Sequence, residues 1–139
     1  MNRFLLDTNV LIYLITGQND EISTDVAVIL QDYHNLIYTS AISIAEVIQL
    51  FRIGKIRPKG YKNVEDLIKN LPQYNIEILS FTEKHALTMA KLSPTAGHND
   101  PFDHAIISQA ITDKITLVSS DRKFKDYTSQ YLKFVFNKR

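Results

Sequence analysis

The sequence predicts an α/β fold in which a mostly parallel sheet is covered by helices on both faces. Three observations predict it. Short apolar runs of strand length, Phe4-Leu5-Leu6, Leu36 to Thr39, Ile76 to Leu79 and Thr116 to Val118, alternate with segments whose apolar residues recur at helical spacing. That alternation indicates βαβ units with right-handed crossovers. The composition, 45% hydrophobic with four glycines and four prolines in 139 residues, is that of one compact domain over 1–139, without disordered or repetitive stretches.

The elements follow in order. Residues 3 to 7 read as a short buried strand, and Thr8 to about Thr16 as a helix stopped near Gly17. A second helix runs from about Ser23 to Tyr33, with Val26, Ala27, Ile29 and Leu30 along one side, and the second strand covers Leu36 to Thr39. Ser40 or Ser43 opens a helix through Ile44, Val47, Ile48 and Phe51 that stops near Gly54. After a basic connector around Pro58 and Gly60, a helix spans Val64 to Leu71 and ends at Pro72. Ile76 to Leu79 is the third strand, and Thr82 and Glu83 start a helix reaching about Leu92. The longest loop, Ser93 to Asn99, leads into Asp100-Pro101, a cap followed by proline at the first helical position. That helix runs to Asp113, Thr116 to Val118 is the fourth strand, Asp121 begins a short turn through Phe124, and Leu132 to Phe136 is an edge strand.

Four acids stand out on this framework: Asp7, Glu46, Asp103 and Asp121, each following an apolar run or opening an apolar helix at a strand-to-helix junction. In a parallel sheet the carboxyl ends of the strands share one edge, and ligands bind in the crevice there. Capping is the competing explanation. Asp7 suits the start of the helix at Thr8, Ser43-x-x-Glu46 has the pattern of a capping box, Asp100 and Asp103 suit the next helix start, and Asp121 suits the last. Hydroxyls stand beside three of these sites, at Thr8, Ser40 or Ser43, and Ser119 or Ser120, which leaves carboxylates in surplus. Several carboxylates in one crevice repel unless a cation neutralises them.

The chain has no cysteine, so disulfides and thiolate metal sites are excluded, and oxygen ligands favour Mg²⁺ or Mn²⁺. Such an ion can polarise a phosphodiester and activate water. Thr8, Asn9 and Ser119 are polar neighbours suited to orienting ligands or water. Net charge is +1, yet with four acids set aside the remainder carries +5. The basic residues cluster: none lies between Phe4 and Phe51, whereas Arg52, Lys55, Arg57, Lys59 and Lys62 follow without an intervening acid, and Arg122 and Lys123 open a second group. Such clusters suit phosphate neutralisation, although scattered surface lysines give the same count. No apolar stretch reaches membrane-spanning length and the first residues lead directly into a strand, so a cytoplasmic protein with no membrane contact is expected.

Leu6-Asp7-Thr8-Asn9, Glu46 in the third helix, Asp100-Pro101-Phe102-Asp103 with Gln109-Ala110, and Ser119-Ser120-Asp121-Arg122-x-Phe124 together resemble the PIN-domain ribonucleases, in particular the VapC-like toxins of toxin-antitoxin pairs. The resemblance covers essentially the whole chain. It implies a three-layer α/β/α sandwich, Mg²⁺ or Mn²⁺ dependence, endonucleolytic cleavage of single-stranded RNA, and Asp7, Glu46, Asp103 and Asp121 as catalytic and metal-binding acids supported by Asp100. It also implies a homodimer and a small antitoxin protein that wraps the groove. One position departs from the pattern: His104 stands where toxin-like members carry an arginine, so a phosphate contact there would depend on pH. His98 reads as a hydrogen-bonded loop histidine. The alternatives are an RNA-maturation nuclease, an inactive RNA- or protein-binding relative, and a phosphatase-like domain. The last normally carries a second acid two residues after the first strand's aspartate, where this chain has Asn9.

Overall fold

A computed structural model describes residues 2–57 and 60–139. Among them five strands, β1 (Arg3–Leu6), β2 (Leu36–Ser40), β3 (Ile76–Leu79), β4 (Thr116–Ser119) and β5 (Phe134–Phe136), form one sheet in the order β3-β2-β1-β4-β5. Every pairing is parallel, which completes the expectation of a mostly parallel sheet. The strand order reverses at β1, the position where a parallel sheet opens a crevice at its carboxyl edge.

Helices α1 (Thr8–Ile15), α2 (Thr24–Gln31), α3 (Ala41–Arg52), α4 (Val64–Lys69), α5 (Glu83–Lys91) and α6 (Pro101–Asp113) connect the strands, with 3₁₀ segments at Asn19–Glu21, Leu71–Tyr74 and Arg122–Gln130. Period-two alternation of β1 divides the interior into two layers. Phe4 and Leu6 face one core with Val10, Leu11, Ile44, Val47 and Leu67, from α1, α3 and α4. Leu5 faces the other, with Ile106, Ile107, Ala110, Phe124 and Tyr127, from α6 and the last 3₁₀ segment. Leu5 and Leu6 are fully buried, and each such side chain contributes about 1.5–3 kcal/mol of hydrophobic stabilisation. A sheet covered on both faces is the predicted three-layer α/β/α architecture.

Boundaries differ where turn chemistry decides them. α2 stops at Gln31, because Asp32 leaves helical geometry and accepts from the amide of His34, leaving Tyr33 exposed. The expected short turn after Asp121 is a 3₁₀ segment of nine residues, anchored by buried Phe124 and Tyr127 and stopped at Tyr131 with φ 74°. β5 starts at Phe134 rather than Leu132. The chain end is fastened by Asn137, fully buried: its Nδ2 donates to Glu21 O and Ser120 Oγ, both 2.8 Å, and its Oδ1 accepts from Ser23 N at 2.7 Å.

Candidate metal and catalytic site

β1 and β4 end side by side, and Asp7 N donates to Val118 O at 2.9 Å, which continues the strand pairing up to the first acid. Asp7 then caps α1: its Oδ1 accepts from Thr8 N at 2.8 Å. Its Oδ2 accepts from Ser119 Oγ at 2.7 Å and Asn9 Nδ2 at 3.2 Å. Capping and site placement are therefore the same geometry at this residue. Burial pushes the Asp7 carboxyl up from 3.8 to about 7, against the lowering effect of the Ser119 hydroxyl and with repulsion from Asp103 and Glu46 added.

Glu46 does not belong to a capping box. The cap of α3 is Ser40, whose Oγ accepts from Ile42 N at 3.0 Å, so Glu46 falls in the second turn, clear of the helix end. There its Oε1 accepts from Thr8 Oγ1 at 2.6 Å, while Thr8 Oγ1 also lies 3.0 Å from Ser43 Oγ. Desolvation raises the Glu46 pKa, and repulsion from Asp103 and Asp100 adds to it. Nor does Asp103 follow a strand, as expected of all four acids. It sits in the first turn of α6 after the loop 93–99, and Asp100 is the cap, accepting from Phe102 N at 2.9 Å. The Asp103 pKa is likewise raised, chiefly by desolvation, with Asp100 and Asp121 repelling it. Asp121 caps the last 3₁₀ segment through Lys123 N at 2.9 Å, and its own amide donates to Ser119 Oγ at 3.0 Å. Ser119 thus ties Asp7 to Asp121.

All four predicted acids meet at the carboxyl edge of the sheet, linked by mutual repulsion and by the Thr8, Asn9 and Ser119 bridges. Asn9 Oδ1 also accepts from Ser120 N at 3.2 Å, so it braces two acid-bearing segments. A half-buried group of carboxylates in which Asp7, Glu46 and Asp103 resist ionisation is the electrostatic counterpart of a divalent cation, and an oxygen donor set suits Mg²⁺ or Mn²⁺. The residues fit such an ion.

His98 is the hydrogen-bonded loop histidine that the sequence leads one to expect, whereas His104 departs from its expectation. His98 is buried, and ligand atoms of His98, Asp103 and Asp121 lie within 4.8 Å of one another. Its Nε2 is 3.0 Å from Asp103 Oδ2 and its Nδ1 is 2.6 Å from the hydroxyl of fully buried Tyr127. In the ionised state that a bound cation would favour, Asp103 only accepts, so Nε2 carries the proton and Tyr127 donates to Nδ1, while Thr95 N donates to the Tyr127 oxygen at 3.1 Å. Asp103 is thereby oriented from the interior. His104, expected at a phosphate-facing position, is instead turned inward: it is buried, its Nε2 donates to His98 O at 2.9 Å, and its ring stands edge-on to that of His98 at 4.9 Å. It fixes the loop that carries His98.

Of the basic residues, Arg122 and Lys123 directly follow Asp121 and are exposed, with the Arg122 guanidinium 5.3 Å from the Phe136 ring centre. Arg52, Lys55 and Arg57 are exposed at and beyond the end of α3. Arg52 lies six residues past Glu46, about 9 Å along the helix axis. Lys59 lies outside the described residues. Sequence reasoning missed Tyr127 as a support of the site. Its only signal was the spacing of apolar residues after Asp121, Phe124 and Tyr127.

Comparison with known proteins agrees with this fold. The family model for the PIN domain matches residues 4–129. Among solved structures, the chain is similar to FitAcB from Neisseria gonorrhoeae (26% identity, 96% of each chain, TM-score 0.63). It is similar also to VapBC2 from Rickettsia felis bound to a promoter DNA fragment (23% identity, 97% of this chain and 98% of that chain, TM-score 0.64). DNA-bound VapBC from Salmonella typhimurium matches at 17% identity over 98% of each chain, TM-score 0.68. No curated protein sequence matches significantly. The family match spans the strand end of Asp7, the α3 turn of Glu46, the α6 start of Asp103 and the turn of Asp121, and the chain belongs to the PIN-domain family.

Proposed function

We propose that this protein is a Mg²⁺- or Mn²⁺-dependent endoribonuclease that cleaves single-stranded RNA and acts as the toxin of a toxin-antitoxin pair. The observation that carries the reading is the convergence of four carboxylates at one sheet edge with the ionisation of three of them, Asp7, Glu46 and Asp103, suppressed. Asp7, Asp103 and Asp121 hold the cation, with Glu46 completing the set. Once bound, the cation polarises the phosphodiester and lowers the pKa of an attacking water. Asp100 repels and so tunes Asp103 and Glu46, Thr8 holds Glu46, Ser119 and Asn9 hold Asp7, and His98 holds Asp103. Arg122, Lys123, Arg52, Lys55, Arg57 and Lys59 are the residues assigned to the RNA backbone.

The chain acts as one PIN domain over 1–139, as a homodimer in the cytoplasm, and a small antitoxin blocks the acidic groove. Support for the antitoxin comes from the likeness to VapBC and FitAcB complexes. None of the helices among the described residues is long and apolar enough to cross a membrane. The retention of all four acids favours an active enzyme over a binding-only relative.

The test uses purified protein, a labelled single-stranded RNA pool, and either Mn²⁺, Mg²⁺ or chelator. Cleavage that needs the ion and vanishes in Asp103→Asn is the expected result. Equal inertness of both proteins under every condition would overturn the reading. Induced expression tests toxicity, and co-expression of any short protein encoded next to it tests relief.

A further inference from the structure

The molecule carries an open cleft of about 560 Å³ along β5, lined by Arg122, Lys125, Thr128, Phe134, Phe136 and Lys138. It is separate from the acids but next to them, because Phe136 pairs with Ser119 and Arg122 follows Asp121. Phe134 and Phe136, two residues apart on one strand, point to the same face. Their rings lie 6.4 Å apart, and the Phe134 ring lies 6.3 Å from buried Phe124, so an aromatic row runs outward from the core. At its outer end the Arg122 guanidinium covers the Phe136 ring. Lys125 and Lys138 are exposed, and among the described residues no acid lines the cleft.

Apolar aromatic faces flanked only by cations match one ligand chemistry closely: flat bases joined by phosphates. Sequence-tolerant binding of single strands combines a positive groove with aromatic stacking, and the cleft volume lies within the roughly 300–1,000 Å³ typical of ligand sites. A duplex keeps its bases stacked on one another and cannot offer them to Phe134 and Phe136.

We propose that the β5 cleft is a docking subsite for single-stranded RNA, in which unstacked bases contact Phe134, Phe136 and the Arg122 plane while Lys125 and Lys138 neutralise phosphates. This rests on the nuclease reading for its substrate class. It adds that the strand leaves the acids along β5, so that recognition extends beyond the basic residues already assigned.

Fluorescence anisotropy with a labelled mixed-sequence 12-nucleotide RNA tests it, in the Asp103→Asn background with Mg²⁺ so that binding is read without cutting. Phe136→Ala should weaken single-strand binding by about five- to hundredfold and leave binding of the matching duplex nearly unchanged. Lys125→Gln with Lys138→Gln should reduce the slope of log affinity against log salt by about 1.4; this pair is exposed and keeps the test valid if the Phe136 variant unfolds by circular dichroism. Unchanged single-strand affinity and salt slope in the folded lysine pair would overturn the subsite. So would an equal loss for duplex and single strand, or loss of binding to a polyglutamate peptide alone, which would assign the cleft to an acidic protein segment. Cleavage by the otherwise native protein, measured in parallel, separates these failures from failure of the nuclease reading itself.

Discussion

Replacing Asp7 with asparagine should invert the usual expectation that removing a site residue destabilises a protein. Burial raises the Asp7 pKa from 3.8 to about 7, so the folded state holds this proton more tightly than the unfolded chain does. Its contribution to metal-free stability is therefore greatest below about pH 4 and falls as pH rises toward 7. A displacement of about three pH units corresponds to roughly 4 kcal/mol. The introduced amide removes that penalty but sets an N–H donor against Asn9 Nδ2, which now donates to Asp7 Oδ2, at a cost of about 1–3 kcal/mol. In chelator, urea unfolding of Asp7→Asn should thus give a protein slightly less stable than the parent at pH 4.5 and more stable at pH 8. Saturating Mn²⁺ should reverse the order at pH 8, because an ion at a hundred times its Kd stabilises the parent by about 2.7 kcal/mol and the variant lacks a ligand. Parallel stability profiles of the two proteins across this pH range in chelator would refute the claim that Asp7 is forced to bear its charge in a buried place.

Three further substitutions bear on the supports. Tyr127→Phe removes the donor to His98 Nδ1 and should weaken Mn²⁺ binding, measured by calorimetry, by roughly 10–100-fold with the fold intact; an unchanged affinity would deny Asp103 its interior support. Thr8→Val removes the hydroxyl that Glu46 Oε1 accepts from and should lower cleavage while changing thermal stability by no more than about 1.5–3 kcal/mol, read by single-turnover kinetics and calorimetric melting. Asn137→Ala strands Glu21 O and Ser23 N and should cost about 2–4 kcal/mol in urea unfolding, whereas Lys138→Ala next to it should be nearly neutral.

The strands and the long helices were legible because their apolar periodicity survives without tertiary context, and β1, β2, β3 and β4 lie where alternating runs predict them. Asp7, Asp103 and Asp121 were legible for a related reason: the carboxyl end of each apolar run and each helix start are written locally. Glu46 was legible as an acid in an apolar helix, and its competing explanation, a capping box with Ser43, falls because Ser40, the other opener the sequence offers, is the actual cap. What stayed hidden depends on loop closure. The stretch 93–99 reads only as the longest loop, and folding buries its His98 between Asp103 and Tyr127. His104 looked like a surface substitute for a cation because its helix position was visible and its rotamer was not. Asn137 near the chain end carries no pattern at all, and only the packing of the terminus against Glu21 and Ser23 gives it a role.

The central strand β1 has its partner β4 more than a hundred residues away, and Ser119 reaches Asp7 across 112 positions. Pairings that distant are made late, since the entropy of closing so long a loop has to be met before any contact rewards it. A growing polypeptide therefore emerges from the ribosome with its first acid present but without the Ser119 hydroxyl and the β4 edge that hold it in place. The acid cluster is thus assembled only after Asp121 has been made, and a product truncated before that residue lacks the complete set.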